Sequence, residues 1–411
     1  MNSRGLKLAY SFMMPGGLLL ASAVALTRYP VLPPSSSQVL LWLPYAIFAM
    51  GALLSLRFNR SRVLLAMVSL AVVYAAVVFY VFQQSSGADT ATTIFAAIAF
   101  FLPINLALVS LMQERGITTF MGAGCLALIA LQFVVVALLC RPELADVAAL
   151  LRHSFVHWKA LNFLHVSQPA LIVFIASLVI LVVRFIWHPK PLEGGFFWAL
   201  ITAFLALNAV SQGHAPGLYF TTAGLILVVS LIEMSYRMAF VDELTGLPGR
   251  RAFNEAAMKL GDSYTVAMVD VDHFKKVNDM HGHDCGDEVL RMVASRLAGV
   301  TGGGQVFRYG GEEFAVIFPG KSAKQAITHL EDLRLDVADA EFFVRGPERR
   351  KSNKTRRSKN STIASKKKVQ VTVSVGIAGR NGRNASFDQV VRAADRALYR
   401  AKDAGRNRIE L

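Results

Sequence analysis

The sequence predicts two parts: an N-terminal all-α transmembrane bundle, then a C-terminal α/β domain with an antiparallel-containing central sheet flanked by helices. Three observations predict it. Long apolar runs fill the chain up to about residue 240 and then stop, and the overall hydrophobic content of 54% exceeds ordinary soluble usage. Beyond that point short apolar runs alternate with amphipathic stretches, the pattern of strands and helices. Finally, residues 308–314 read RYGGEEF, two glycines against two carboxylates inside an apolar strand pattern. A buried strand gains nothing from either pair, so this place serves something other than packing. At 411 residues the chain has room for two or three domains.

Runs that approach the roughly 20 apolar residues needed to cross a bilayer fall at 9–27, 39–56, 63–82, 92–112, 117–140, 167–187, 195–210 and 217–234. They predict a polytopic transmembrane region over 1–234 with about 8 helices; the seventh run is the shortest. Ala21-Ser22-Ala23 resembles a processing site, so the first run also reads as a cleaved signal, which would leave seven spans. Lys and Arg gather at Arg4 and Lys7, at RFNRSR (57–62), at QERG (113–116), at RFIWHPK (184–190) and after Ser235. QQSSGADTA (83–91) and SQGHAP (211–216) carry none. This alternation puts both termini in the cytoplasm. The 141–165 connection departs from it with Arg141, Arg152 and Lys159. There the spacing of Val147, Leu150, Leu151, Phe155 and Trp158 predicts an amphipathic helix on the outer surface. His153 and His157 would share a face of that helix, with His165 following: metal or haem ligands, or plain interfacial histidines. Asn105, Gln132 and Asn208 are expected to bond between helices, and the lack of a mid-span acid argues against an ion-coupled transporter. Leu231, Met234, Met238 and Val241 keep a 3–4–3 spacing, so residues 235–241 read as a short coiled-coil linker or a simple tether.

The net charge of +15 is local: residues 345–368 hold eleven Lys/Arg against Glu348 alone. A single solvated insert of this kind predicts no nucleic-acid partner; it reads as an inert loop or as a tether to anionic lipid of the bilayer. The three cysteines do not suggest a disulfide scaffold.

In the soluble part, YTVAMVDVDHF (264–274) reads as a strand ending in Asp270 and Asp272, separated by Val271. A helix follows, opened by Asp284 and Asp287, with Val289, Leu290, Val293 and Leu297 on one face. GQVFRYGGEEFAVIFPG (304–320) reads as strand, turn, strand. Glycines at the turn supply positive φ and let a ligand approach bare backbone, beside Glu312 and Glu313. A strand-end Asp and a hairpin Glu on neighbouring strands suit a pair of Mg²⁺ ions, hard cations that keep positions open for phosphate oxygens.

Five stretches in order, DELTGLPGRRAF (242–253), DVDHFKKVNDMHGHDCGDEVL (270–290), RYGGEEF, VTVSVGIA (371–378) and ADRALYRAKDAGRNRI (394–409), make residues 242–411 resemble the GGDEF family of diguanylate cyclases. The resemblance implies a palm-like, nucleotide-cyclase-like fold and a reaction in which two GTP condense to cyclic di-GMP and two pyrophosphates. It implies two Mg²⁺ per active site, or Mn²⁺. Asp270, the Val271 carbonyl and Glu312 match metal-binding positions, with Glu313 beside them. Glu312 also matches the carboxylate that takes the proton from the 3′-hydroxyl. Asn278 and Asp287 match guanine-reading positions, and His283 a further nucleotide contact. Lys275, Lys402 and Arg406 match phosphate-contacting positions, Lys275 being counted with the catalytic groups. Gly310 and Gly311 match the backbone that closes over the nucleotide. Structural alternatives stand beside these: Lys275 as a surface lysine, Lys402 and Arg406 as partners of a helix C-terminus. Guanine chemistry agrees with the match, because a carboxylate accepts the N1–H and N2–H₂ donors that adenine lacks.

One domain holds one GTP and the product joins two head to tail, so a homodimer is implied. The resemblance further implies a multi-pass protein of a bacterial inner membrane, its GGDEF domain cytoplasmic, its product read by separate effectors. The alternative is a catalytically idle GGDEF domain acting as a GTP-binding or protein-interaction switch. Two departures stand out. Many members carry RxxD before the signature, which binds product and inhibits; here Thr301-Gly302-Gly303-Gly304 stands in its place, and no such inhibition is expected. Gly249 replaces a usual Asn, with little expected effect.

Overall fold

A computed structural model describes residues 3–28, 37–83, 88–114, 119–155, 166–343, 368–380 and 386–411. It divides into two compact units, Met1–Ser235 and Tyr236–Leu411.

The first unit is helical: α1 Ser3–Met13, α2 Gly16–Arg28, α3 Ser37–Arg57, α4 Ser61–Gln83, α5 Ala88–Leu111, α6 Phe120–Leu139, α7 Ala145–Leu150, α8 Gln168–Trp187, α9 Pro191–Ser211 and α10 Gly217–Phe240, the last running through the unit boundary. Among the described residues, seven helices are long and apolar enough to cross a membrane: α3 to α6 and α8 to α10. The run expected at 9–27 is not one of them. It breaks at Pro15, which has no amide to continue the helix, and two glycines follow. The freed carbonyl of Phe12 accepts the Trp198 indole N–H at 2.7 Å, and a Cβ at Gly16 would overlap the Trp198 ring. The seventh run is longer than expected, because Pro191 opens α9 at N1, where its missing amide costs nothing. That places Glu193 in the first turn of α9, fully buried, where Arg62 grips both carboxylate oxygens (2.9 and 2.8 Å) and Arg184 a third bond at 2.9 Å.

Asn105 of α5 and Gln132 of α6 exchange two amide hydrogen bonds, 2.9 and 2.7 Å. The amphipathic helix expected over 141–165 is not formed in its described part. A 3-10 turn at Pro142–Leu144 leads into the six residues of α7, which ends at Leu150; six residues are too short to carry an apolar stripe. Val147, Leu150 and Phe155 are exposed. His153 lies past the helix, its ring 5.0 Å from that of Phe155; His157 and His165 lie outside the described residues. Of the 3–4–3 residues near the end of α10, Leu231 is buried while Met238 and Val241 are exposed.

The second unit runs α11 Arg250–Met258, β1 Tyr264–Val271, α12 Phe274–His281, α13 His283–Leu297, β2 Gln305–Gly310, β3 Glu313–Pro319, α14 Ala323–Ala338, β4 Phe342–Phe343, β5 Lys368–Val369, β6 Val373–Gly379, α15 Phe387–Asp403 and β7 Ile409–Glu410. The sheet order is β2-β3-β1-β6-β7, antiparallel except for the β6–β7 pair, so the mixed sheet flanked by helices is as expected. β1 is buried along its whole length. Its alternate residues serve two cores. Ala267, Val269 and Val271 pack with Val289, Val293 and Leu297 of α13 and Leu330 of α14. Val266 and Met268 pack with Phe253 of α11 and Val390, Ala394 and Leu398 of α15. α15 lies so close to β6 that a Cβ at Gly376 would overlap the Ala394 carbonyl. The helix expected to open at Asp284 is α13; the shorter α12 precedes it, and Gly282, with φ of 82°, breaks the turn between them. Phe342 pairs with Val369 and Phe343 with Lys368 in a two-stranded antiparallel sheet of their own, so the two sides of the basic insert meet as a short hairpin. The basic insert at 345–368 lies outside the described residues except for Lys368.

Candidate active site

Antiparallel register places Asp270, next to last in β1, opposite Glu313 at the start of β3. The Val271 N–H donates to the Glu312 carbonyl at 3.3 Å, pinning the glycine hairpin to the end of the central strand. Gly311 has φ of 44°, and a Cβ on Gly310 or Gly311 would meet nothing, so the backbone there is bare to an incoming molecule.

Three carboxyls therefore crowd one strand end, and each holds its proton more tightly than usual. Burial raises Asp270 first, against the opposing ion pair with Lys402 and the Arg406 charge. Burial raises Glu312 and Glu313 too, and the Asp270 charge raises both further. Lys402 Nζ stands 2.9 Å from Asp270 Oδ2, an ammonium beside surplus negative charge. Among the described residues no three His, Cys, Asp or Glu side chains are gathered tightly enough to hold a metal as they stand. The donor chemistry nonetheless fits a hard divalent cation: every candidate ligand atom is oxygen, and these carboxyls pay for their burial in a place where a cation would offset it. Asp272 is not part of this set. It accepts from Thr372 Oγ1 and Ser374 Oγ, both 2.7 Å, and from the Asn407 N–H at 3.0 Å.

Asn278 lies on α12 and Asp287 on α13, the two positions expected to read guanine. The Asn278 side-chain oxygen is buried with no hydrogen-bond partner, an acceptor that a buried site leaves empty only at a cost. It lies against Gly286, where a Cβ would overlap it. Gly286 is invisible as a site residue in the sequence, because only the α12–α13 packing shows that its missing side chain makes room for Asn278. Asp287 is half-buried; Lys275, in the first turn of α12, and His283, opening α13, are exposed. Arg406 follows α15 in a left-handed turn, near enough to Asp270 for its charge to oppose the rise in that acid's proton affinity.

A further group holds the hairpin from behind. Arg308 Nη1 donates to Asp242 Oδ1 at 2.7 Å, while its Nη2 and Nε reach the Gly311 carbonyl at 2.8 and 3.2 Å. Asp242 also caps its own turn by accepting from the Thr245 N–H and Oγ1. Burial pushes the Asp242 carboxyl up, but the bonds from Thr245 and Arg308 outweigh it and leave it below the ordinary range. Arg250 lies over the Tyr309 ring at 4.5 Å, and a cavity of about 380 Å³ opens between these residues and Phe240. Gly249 is extended, a conformation open to any residue. In the stretch 301–304, Thr301 Oγ1 bonds His329 Nδ1 at 2.7 Å, and a Cβ at Gly302 would strike the His329 ring.

Residues 239–352 and 347–408 match the family described as Diguanylate cyclase, GGDEF domain. The response regulator PleD of Caulobacter vibrioides is 33% identical over 186 residues, 43% of this chain and 37% of PleD. The diguanylate cyclase DgcP of Pseudomonas aeruginosa is 34% identical over 190 residues, 44% of this chain and 25% of its own. DgcC of Escherichia coli is 30% identical over 275 residues, covering 61% of this chain and 64% of DgcC. The chain thus spans well under half the length of the first two. Among solved structures, the coiled coil and GGDEF domain of DgcB from Caulobacter crescentus in complex with c-di-GMP is 33% identical. That match covers 46% of this chain and 94% of the other, with a TM-score of 0.39.

Proposed function

We propose that this chain, whose C-terminal part at 239–408 belongs to the GGDEF family, is a membrane-bound diguanylate cyclase that condenses two GTP to cyclic di-GMP and two pyrophosphates as a homodimer. The observation that carries the reading is the crowding of Asp270, Glu312 and Glu313, each with raised proton affinity, beside a bare glycine backbone.

Asp270, the Val271 carbonyl, Glu312 and Glu313 would hold two divalent cations, Mg²⁺ or Mn²⁺, which supply charge that offsets the triphosphate and favours ionisation of the 3′-hydroxyl. The protein's own groups do the rest. The empty Asn278 oxygen and the Asp287 carboxylate accept the guanine donors, with His283 as a further contact. The bare Gly310–Gly311 backbone admits the phosphates. Lys275, Lys402 and Arg406 neutralise charge that grows on the leaving pyrophosphate, so Lys402 exchanges its Asp270 partner for phosphate oxygens. Glu312 accepts the 3′-hydroxyl proton as O3′ bonds to the α-phosphorus of the partner's GTP and the bond to pyrophosphate breaks. The raised proton affinity of Glu312 suits a base. The same step in the other direction closes the ring.

The seven apolar helices would anchor the protein in a bacterial inner membrane, with the GGDEF domain in the cytoplasm, and residues 235–241 would carry the signal between the two parts. A second reading, an idle GTP-binding switch, draws on the Lys402–Asp270 ion pair, which occupies a metal-binding position. Purified full-length protein with GTP and Mg²⁺ separates the two. The cyclase reading predicts cyclic di-GMP; GTP bound and recovered intact would establish the switch.

A further inference from the structure

Arg406 stands on backbone that the chain does not favour. After α15 ends, Gly405, Arg406 and Asn407 have φ of 109°, 65° and 47°. Glycine takes this region freely, but two consecutive residues with side chains do so rarely, and they stay there only when the surroundings over-determine them. The fixing groups are on the page. The Arg406 N–H donates to the Ala401 carbonyl at 3.0 Å, closing the helix end. The Asn407 N–H goes to Asp272 Oδ2 at 3.0 Å. Arg334, from α14, donates Nη1 to both the Asn407 carbonyl (3.1 Å) and Asn407 Oδ1 (2.7 Å). Glu331, one turn earlier on α14, grips the same guanidinium through Nε at 3.0 Å. Asn407 is thus held through its amide, carbonyl and side chain by two elements, and its neighbour Arg406 is set by that grip.

We propose that Arg334, acting through Asn407 together with Asp272, is a positioning residue that aims Arg406 at the triphosphate. This rests on the cyclase reading of the same site. Arg334 has no place in the signature motifs and belongs to a helix that supplies none of the site residues. Asp272 lies two residues beyond Asp270, so one strand end carries both a metal-binding acid and the buttress of a phosphate-binding turn. Lysine could not replace Arg334, since a single ammonium lacks the planar fork that reaches Glu331 and Asn407 at once.

The test is a double-mutant cycle in the full-length protein, with kcat and KM for GTP measured for wild type, Arg334→Ala, Arg406→Ala and the double variant. Arg334→Ala is expected to lower kcat/KM about tenfold, as small misplacements of binding groups do. The double variant is expected to be no worse than Arg406→Ala alone, because the two act as a unit. Losses that multiply in the double variant overturn the proposal, as does unchanged kcat/KM in either single variant. Should Arg334→Ala fail to fold, Asn407→Gly serves in its place. It keeps left-handed backbone and removes only the Oδ1 bond, and its smaller loss should likewise vanish in the Arg406→Ala background. Wild-type protein that makes no cyclic di-GMP sinks the cyclase reading itself, and this proposal with it.

Discussion

Glu312 carries its charge at a cost, and the sign of that cost can be measured. Its carboxyl is raised in the folded protein by burial and by Asp270, so the folded state binds protons more tightly than the unfolded one. Stability therefore falls as pH rises from the ordinary carboxyl range through the raised value. Glu312→Gln removes this penalty: without divalent cations, its Tm at pH 8 should exceed that of wild type, and the difference should vanish below the ordinary carboxyl range. Mg²⁺ should raise the Tm of wild type more than that of the variant. A Glu312→Gln protein that melts lower at pH 8 would contradict the crowded-acid account. Gly286→Ala makes a second residue-level claim. The added methyl displaces the Asn278 oxygen, and kcat/KM for GTP should fall about tenfold or more, as when a site built for hydrogen bonds loses one. Circular dichroism should remain that of wild type. Asp270, Glu312 and the two glycines were legible in the sequence because each breaks a local pattern. Gly286 and Arg308 were not. Their meaning lies in contacts with Asn278 on the preceding helix and with Asp242, 66 residues away.

The element that most shapes the hairpin is held from the start of the domain. Arg308 links Asp242 to the Gly311 carbonyl, and both members of the ion pair are largely shielded from water. Arg308→Ala should lower stability by about 2 kcal/mol, the usual worth of hydrogen bonds to a charged group, in urea unfolding of the full-length protein. Asp242 is depressed in the fold, so its share of stability is complete above the ordinary Asp range and disappears as pH falls through the lowered value. The variant should lose the part of that acid limb that Arg308 supplies, while the Thr245 bonds keep the rest. A second turn concerns control. Thr301 and Gly302 pack against His329, and neither an Arg nor an Asp is present at 301–304. Saturating cyclic di-GMP should leave the initial rate nearly unchanged; a strong non-competitive fall would refute this. Among elements, the strands followed from hydrophobic period and the sheet from the family resemblance, whereas boundaries went astray where one residue decides them. Pro15 split a run that reads as one span, and Pro191 lengthened a helix by starting it early.

For the whole molecule, the apolar half was legible as helices because a run able to cross a bilayer has to satisfy its own backbone there. Its internal bonding was not. Glu193 pairs with Arg62, 131 residues distant, and with Arg184 across the α8–α9 turn. Removing one member of a buried ion cluster leaves the others unpaired, so Glu193→Ala should cost about 3–5 kcal/mol, read as lower thermal stability of the detergent-purified protein. The central claim is that two half-sites share one reaction, and mixing subunits tests it most directly. Wild-type and Glu312→Gln protein should be co-purified as mixed dimers and given GTP with Mg²⁺. The account predicts that a linear dinucleotide accumulates, since only one of the two bonds finds its base. Cyclic di-GMP formed at full wild-type rate per intact subunit would show that each subunit works alone, and would contradict it.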